Sequence, residues 1–258
     1  MKHFITSSKK EIRLWSICFW ILVWQGASMI IGQEILLVSP VFVLRKLCYL
    51  ILQKEFMSAV CFSFFRITGG FFLSMICSVV TAVLASRFIR IRELMAPLII
   101  AMKTTPVASF IILVLIWIPS KNLSILISFI MCFPVLYTNI LEGIRCVNPK
   151  MLEMTKIFEV TPWKMFRYIY LPSVFSYFHS ACAVSLGLCW KAGIAAEVIG
   201  IPSGSIGEKL YNSKIYLETA DLFAWTLTIV VLSVGFEKIF LTLLTWLERW
   251  NEGGKGCE

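Results

Sequence analysis

The amino-acid sequence predicts an all-α membrane protein with about six transmembrane helices and one folded polar segment between them. Three observations carry this reading. The 258 residues are 59% apolar and only 15% charged. Charge-free runs recur at residues 14–33, 67–86, 104–120, 122–141, 171–190 and 222–236. Most approach or exceed the roughly 18 apolar residues needed to cross about 30 Å of hydrocarbon. Lys and Arg are also shared unequally between alternate connecting segments, as cytoplasmic and external loops share them.

With the third run extended back to residue 95 and the last forward to 247, the expected spans are 14–33, 67–86, 95–118, 122–141, 173–199 and 222–247. They form one membrane domain over residues 1–258, with no soluble part large enough to fold alone. The first run is longer than the apolar stretch of a cleavable leader, and Gln33-Glu34 is a poor match to a small-residue cleavage site. With the N-terminus inside, 15 of the 24 Lys and Arg fall in inner segments and six in outer ones. Arg66, Lys103 and Lys191 then sit in or at the edge of the membrane. Both termini are expected in the cytoplasm of a multi-pass cell-membrane protein. The formal net charge of +9 is thus mostly a topology signal, and no basic soluble face exists to bind nucleic acid.

Each element has its own local signal. After the first span, Ser39-Pro40 reads as a helix N-cap followed by N1, opening an amphipathic helix along the outer surface. Arg66 is expected at the head of the second span, snorkelling outward. Gly69, Gly70, Ala82 and Ala85 in the second span, and Ala183 and Gly187 in the fifth, are small residues of the kind that let membrane helices approach closely. The third span is interrupted by Pro97 and Pro106. Pro106 cannot donate to the carbonyl of Met102, and in lipid a freed carbonyl must face protein or a water-filled cavity. Lys103, Thr104 and Thr105 share that turn. They read either as a kink with a snorkelling lysine or as the polar lining of a pathway. The fifth span runs through Lys191 and Glu197 and should end near Gly200-Ile201-Pro202. Both ionisable groups need partners elsewhere, because six residues apart they do not share a helix face. Lys191 is expected within the bundle. Residues 203–207 then read as turn-like at the start of an outer loop.

Residues 148–172, NPKMLEMTKIFEVTPWKMFRYIYLP, stand apart. Asn148-Pro149 and Thr161-Pro162 each read as N-cap plus N1, and Pro162 forces the first helix to stop near Phe158 or Glu159. Two short helices with a bend are expected, with a second break at Leu171-Pro172. A multi-span protein rarely keeps such a segment in the cytosol without a partner to dock.

The chain lacks a phosphate-binding GxxxxGK[ST] loop, an HExxH pair and a GxSxG elbow, so no enzyme activity and no cofactor is expected. Nine cysteines occur singly, without a CxxC pair, and the two histidines, His3 and His179, are far apart. The cysteines read as buried small hydrophobes rather than as metal ligands or disulfides. Energy for moving a solute would come from an ion gradient or from another subunit.

The inner segment resembles the EAA loop of binding-protein-dependent ABC importer permeases, whose pattern is E-A-A, three residues, G, nine residues, I-x-L-P. Glu153, Ile169, Leu171 and Pro172 match it. Met154 and Thr155 replace the alanines and Glu159 the glycine. Residues 186–200, LGLCWKAGIAAEVIG, and 36–40, LLVSP, look like the nitrate/sulfonate/taurine-type branch. The resemblance implies a type I importer permease fold with a cytosolic coupling helix. It implies two permease copies, a homodimer, around the pathway in the lipid bilayer. It implies a separate cytosolic ABC ATPase subunit that hydrolyses ATP, and an external solute-binding protein. ATPase coupling would fall to Glu153, Met154, Thr155, Phe158, Glu159, Thr161, Pro162, Leu171 and Pro172. The branch implies a small anion such as nitrate, a sulfonate or taurine, while related permeases serve pyrimidine precursors of thiamine. Lys103, Thr104, Thr105, Lys191 and Glu197 are the candidate pathway-lining residues. A gradient-driven secondary transporter would use the same embedded charges, often with an inverted repeat that is not visible here. An intramembrane enzyme or a membrane scaffold is the third alternative.

Overall fold

The computed structural model describes residues 14–33 and 35–253. Lys2, Lys9, Lys10, Arg13 and Lys255, on which the inside placement of the termini leans, lie outside them. The described chain is helical, with no strand among the described residues: α1 (Leu14–Ile31), α2 (Pro40–Ile51), α3 (Lys54–Arg87), α4 (Ile89–Thr104), α5 (Val107–Val114), α6 (Ser120–Arg145), α7 (Pro149–Ile157), α8 (Pro162–Met165), α9 (Leu171–Gly200), α10 (Ile206–Ile215) and α11 (Thr219–Gly253). Among them α3, α6, α11 and a continuous helix Pro162–Gly200 are long and apolar enough to cross a membrane. The expected third span is α4 plus α5, bent by 104° where they meet. α1 is apolar but shorter than these.

The centre is a three-helix contact in which α6 packs along both α3 and α9. It is built from small residues and backbone-seeking hydroxyls and thiols. A Cβ on Gly70 would strike the carbonyl oxygen of Ile125 and come within 2.8 Å of Ser128 Cβ. One on Gly193 would lie 2.7 Å from Ile67 Cγ1. Ser128 Oγ donates to the Cys189 carbonyl (3.3 Å), Cys189 Sγ to Ile67 O (3.3 Å) and Cys132 Sγ to Ser185 O (3.2 Å). Such bonds hold helices together where lipid offers no hydrophobic driving force between them. All eight described cysteines are free thiols, so the buried ones fill space and lend a weak donor. Edge-to-face rings, Phe71 on Phe240 at 5.2 Å and Phe64 on Phe236 at 5.4 Å, fasten α11 to α3.

Ser39 caps α2 as its sequence predicts, its hydroxyl accepting from Phe42 N–H at 3.4 Å with Pro40 at N1. α2 buries Pro40, Val43 and Leu50 and is tied to α11 by Lys46 and Asp221, 2.9 Å apart.

Four expectations are corrected. α3 begins at Lys54, not near 67, and its 34 residues make about 50 Å of helix. Arg66 therefore lies within α3 rather than at its start. Its Nη1 donates to Asn122 Oδ1 at 3.2 Å and its guanidinium sits 4.4 Å from the Phe62 ring centroid. The helix does not break at Leu171-Pro172. A π-helical turn over Phe166–Tyr170 precedes them, in which Leu171 N–H reaches back to Phe166 O, and the wider turn lets the chain pass through Pro172 as helix. Pro97 leaves α4 unbroken; only Pro106 ends a helix.

The turn-like start of the outer loop leads into a helix the sequence reading missed, α10. Its signal is Ser205-x-x-Glu208: Ser205 Oγ accepts from Glu208 N–H at 3.0 Å, and Glu208 Oε2 accepts from Gly204 N–H at 2.6 Å. α9 ends at Gly200 as expected, with Ile201 left-handed at φ 46°.

Candidate functional site

The α7–α8 elbow is set by its caps. Asn148 Oδ1 accepts from Lys150 N–H at 3.0 Å, with Pro149 at N1 of α7. At the other end Phe158 N–H donates to Met154 O at 3.0 Å and Val160 N–H to Thr155 O at 2.9 Å, a Schellman ending around a left-handed Glu159, φ 47°. Glu159 thus adopts the conformation that glycine favours at this place in the pattern. Thr161 holds the N-cap position of α8 without a capping bond from its hydroxyl.

The elbow presents a mixed acidic and apolar surface. Glu153, Met154 and Glu159 are exposed, as are Ile157 (76%), Phe158 (71%) and Trp163 (68%), with Trp163 stacked on Phe166 at 5.9 Å. Ile157, Trp163 and Phe166 are absent from the candidate set read from sequence. Their signal was present as large apolar residues in a segment with no membrane to cover them. Thr155 is the reverse case. It is buried, and its hydroxyl donates to Leu152 O at 2.7 Å and to Met165 Sδ at 3.6 Å. It holds α7 against α8 and is not on the face a partner would meet. Thr161 and Pro162 are exposed at the bend, and Leu171 and Pro172 carry the elbow into α9.

The candidate pathway residues do not converge on one spot. Lys103, Thr104 and Thr105 are exposed at the α4–α5 break. Thr104 Oγ1 donates to Ile100 O (3.0 Å) and Thr105 Oγ1 to Ala101 O (2.7 Å), which ends α4 with its hydroxyls turned back onto the helix. A cavity of about 190 Å³ opens beside the break, lined by Leu98, Met102, Thr105, Phe110, Ile127 and Met131 among others. Leu98, Met102 and Thr105 share one face of α4, and Lys103 lies off it.

Lys191, expected within the bundle, lies on the outward surface of the chain between buried Trp190 and Ala192. It ends an exposed row on α9 that includes Ser176, Ser180 and Val184. Gly187 borders this row, and a Cβ there would meet nothing within 4 Å. Among the described residues no acid lies within ion-pair distance of Lys191.

Glu197 is fully buried. Its Oε2 accepts from Ser63 Oγ at 2.6 Å and from Gly207 N–H at 3.3 Å. Ser63 Oγ in turn accepts from Ile206 N–H at 2.9 Å. The carboxyl is enclosed by α3, α6, α9 and the first turn of α10, and does not reach the surface of the chain.

An apolar multi-span fold with a capped helical elbow fits a membrane transport component. The chain belongs to the binding-protein-dependent transport system inner membrane component family, which matches residues 70–252. It is therefore a multi-pass inner-membrane permease with the type I ABC permease fold. Membership favours a binding-protein-dependent importer over the gradient-driven carrier and the enzyme or scaffold. The family also implies ATPase and solute-binding partners. Among individual proteins the chain is similar to the "Putative aliphatic sulfonates transport permease protein SsuC" of Bacillus subtilis, 25% identical over 92% of this chain and 86% of that one. It is similar to the bicarbonate transport system permease protein CmpB of Synechococcus elongatus, 22% identical over 72% of this chain and 66% of that one. The formylaminopyrimidine transport permease protein ThiX of Halalkalibacterium halodurans is 21% identical over 88% of this chain and 92% of its own.

Proposed function

We propose that the chain is the membrane-spanning subunit of an ATP-driven importer for a small anion, working as a homodimer with both termini in the cytoplasm. An external binding protein delivers the solute, and ATP is hydrolysed on a separate cytosolic subunit. The observation that carries the reading is the α7–α8 elbow, whose exposed Phe158, Ile157 and Trp163 beside Glu153 have no cover among the described residues. Its basic flanks support a cytosolic placement. Apolar anchors with an acidic rim suit insertion into a groove of an ATPase. Thr155, Leu171 and Pro172 shape the elbow; Glu153, Met154, Phe158 and Trp163 make the contact.

The anion rests on the sulfonate and bicarbonate relatives and on two exposed cations, Lys103 and Lys191, without ion-pair partners among the described residues. Similarity to a formylaminopyrimidine permease over nearly its whole length supports a second reading, a small uncharged heterocycle. Replacing Glu153, Phe158 and Trp163 together with alanine is expected to abolish co-purification of the ATPase while membrane insertion is retained. An ATPase that still binds with unaltered affinity overturns the docking assignment. Screening sulfonates, bicarbonate, nitrate and pyrimidines against the partner binding protein separates the two solute readings.

A further inference from the structure

We infer that Glu197 is a positioning residue for transport: it latches the outer-loop helix α10 onto the end of α9. The inference rests on the importer reading above. Three features of one junction support it.

The first is the bonding. Oε2 takes the Ser63 hydroxyl and the Gly207 amide, while Ser63 Oγ takes the Ile206 amide. Ile206 and Gly207 are the first two residues of α10. Their N–H groups have no partner inside their own helix, and a carboxylate there also meets the positive end of the helix dipole. The second is the close seat. A Cβ on Gly207 would overlap Glu197 itself and lie 2.6 Å from Val198 N, so only glycine lets the first turn of α10 rest on the backbone of α9. The third is what else meets the carboxyl: the Ser124 hydroxyl faces it from α6 and the Arg66 guanidinium from α3. Glu197 and Ser124 are both 0% exposed.

Packing alone would be served by any small or apolar side chain. A buried carboxyl in a membrane protein is costly unless it is met by partners. Here Ser63, Gly207, Ser124 and Arg66 meet it, and the Ser63 and Gly207 bonds fix where α10 starts against α9. α10 packs on α3, α9 and α11, so its seating bears on the helix that carries Lys191.

The test is amide hydrogen exchange on the full chain in lipid nanodiscs, with and without its co-purified ATPase. Glu197→Gln is expected to speed exchange at the Ile206 and Gly207 amides at least tenfold. In the complex it should raise ATP hydrolysis without binding protein several-fold and lower transport per ATP. Unchanged exchange overturns the latch. Faster exchange with wild-type coupling also overturns it, since the junction is then merely structural. If Glu197→Gln does not assemble, Ser63→Ala carries the same test at the Ile206 amide with the same coupling readout. Should the wild-type chain capture no ATPase at all, the importer reading fails instead, whatever α10 does.

Discussion

At the scale of single residues, Glu159 and Thr155 show how a motif can lose its letters and keep its shape. Glu159 is left-handed at φ 47°, a conformation that costs a non-glycine residue roughly 1–2 kcal/mol. The Schellman bond from Val160 N–H to Thr155 O holds it there. Glu159→Gly should therefore stabilise the elbow by about 1 kcal/mol and slow exchange at the Val160 amide about fivefold. ATPase capture should be retained. Exchange that stays the same or quickens would mean that no strain is stored at this position. Thr155 replaces a small residue with another whose hydroxyl is absorbed locally by Leu152 O and Met165 Sδ, so the α7–α8 contact survives the exchange.

At the scale of elements, two adjacent glycines of α3 have opposite meanings. Gly70 faces α6, where a Cβ would collide with Ile125 O and Ser128; at Gly69 a Cβ meets nothing within 4 Å. Gly70→Ala should cost about 1–3 kcal/mol through overpacking, and Gly69→Ala should be neutral or slightly stabilising because alanine is the better helix former. Thermal unfolding in detergent measures both. Equal losses at the two positions would contradict the packing of α3 on α6. The α4–α5 break follows a similar local logic. Thr105 is extended ahead of Pro106, and two threonine hydroxyls give α4 an ending that needs no further turn.

For the whole molecule, the exposed row on α9 matters more than any single span. Lys191 is too polar to face lipid without cost, and Gly187 leaves room for a close neighbour. A second copy, or the water-filled path between two copies, is what such a face fits. In a cysteine-free background Gly187→Cys should crosslink into dimers and Leu186→Cys, fully buried, should not. Lys191→Met is expected to leave assembly intact and to reduce transport at least tenfold. Normal transport by that variant, or failure of the complex to assemble, removes the lysine from the pathway.

The sequence by itself determined the membrane class, the helices at Ser39-Pro40 and Asn148-Pro149, the stop before Pro162 and the end of α9 at Gly200. Each is written in residues a few positions apart: a cap, a proline, a glycine, an unbroken apolar run. Only the tertiary structure decided that Arg66 pairs with Asn122, that Thr155 faces inward, that Lys191 faces out and that Glu197 is sealed against α10. These outcomes depend on which side of a helix meets which neighbour. An α-helix whose flanks are almost uniformly apolar carries no periodic signal to say so. In α3 and α9 the faces are set by where small residues let backbones close up, and that is a property of helix pairs rather than of either sequence alone.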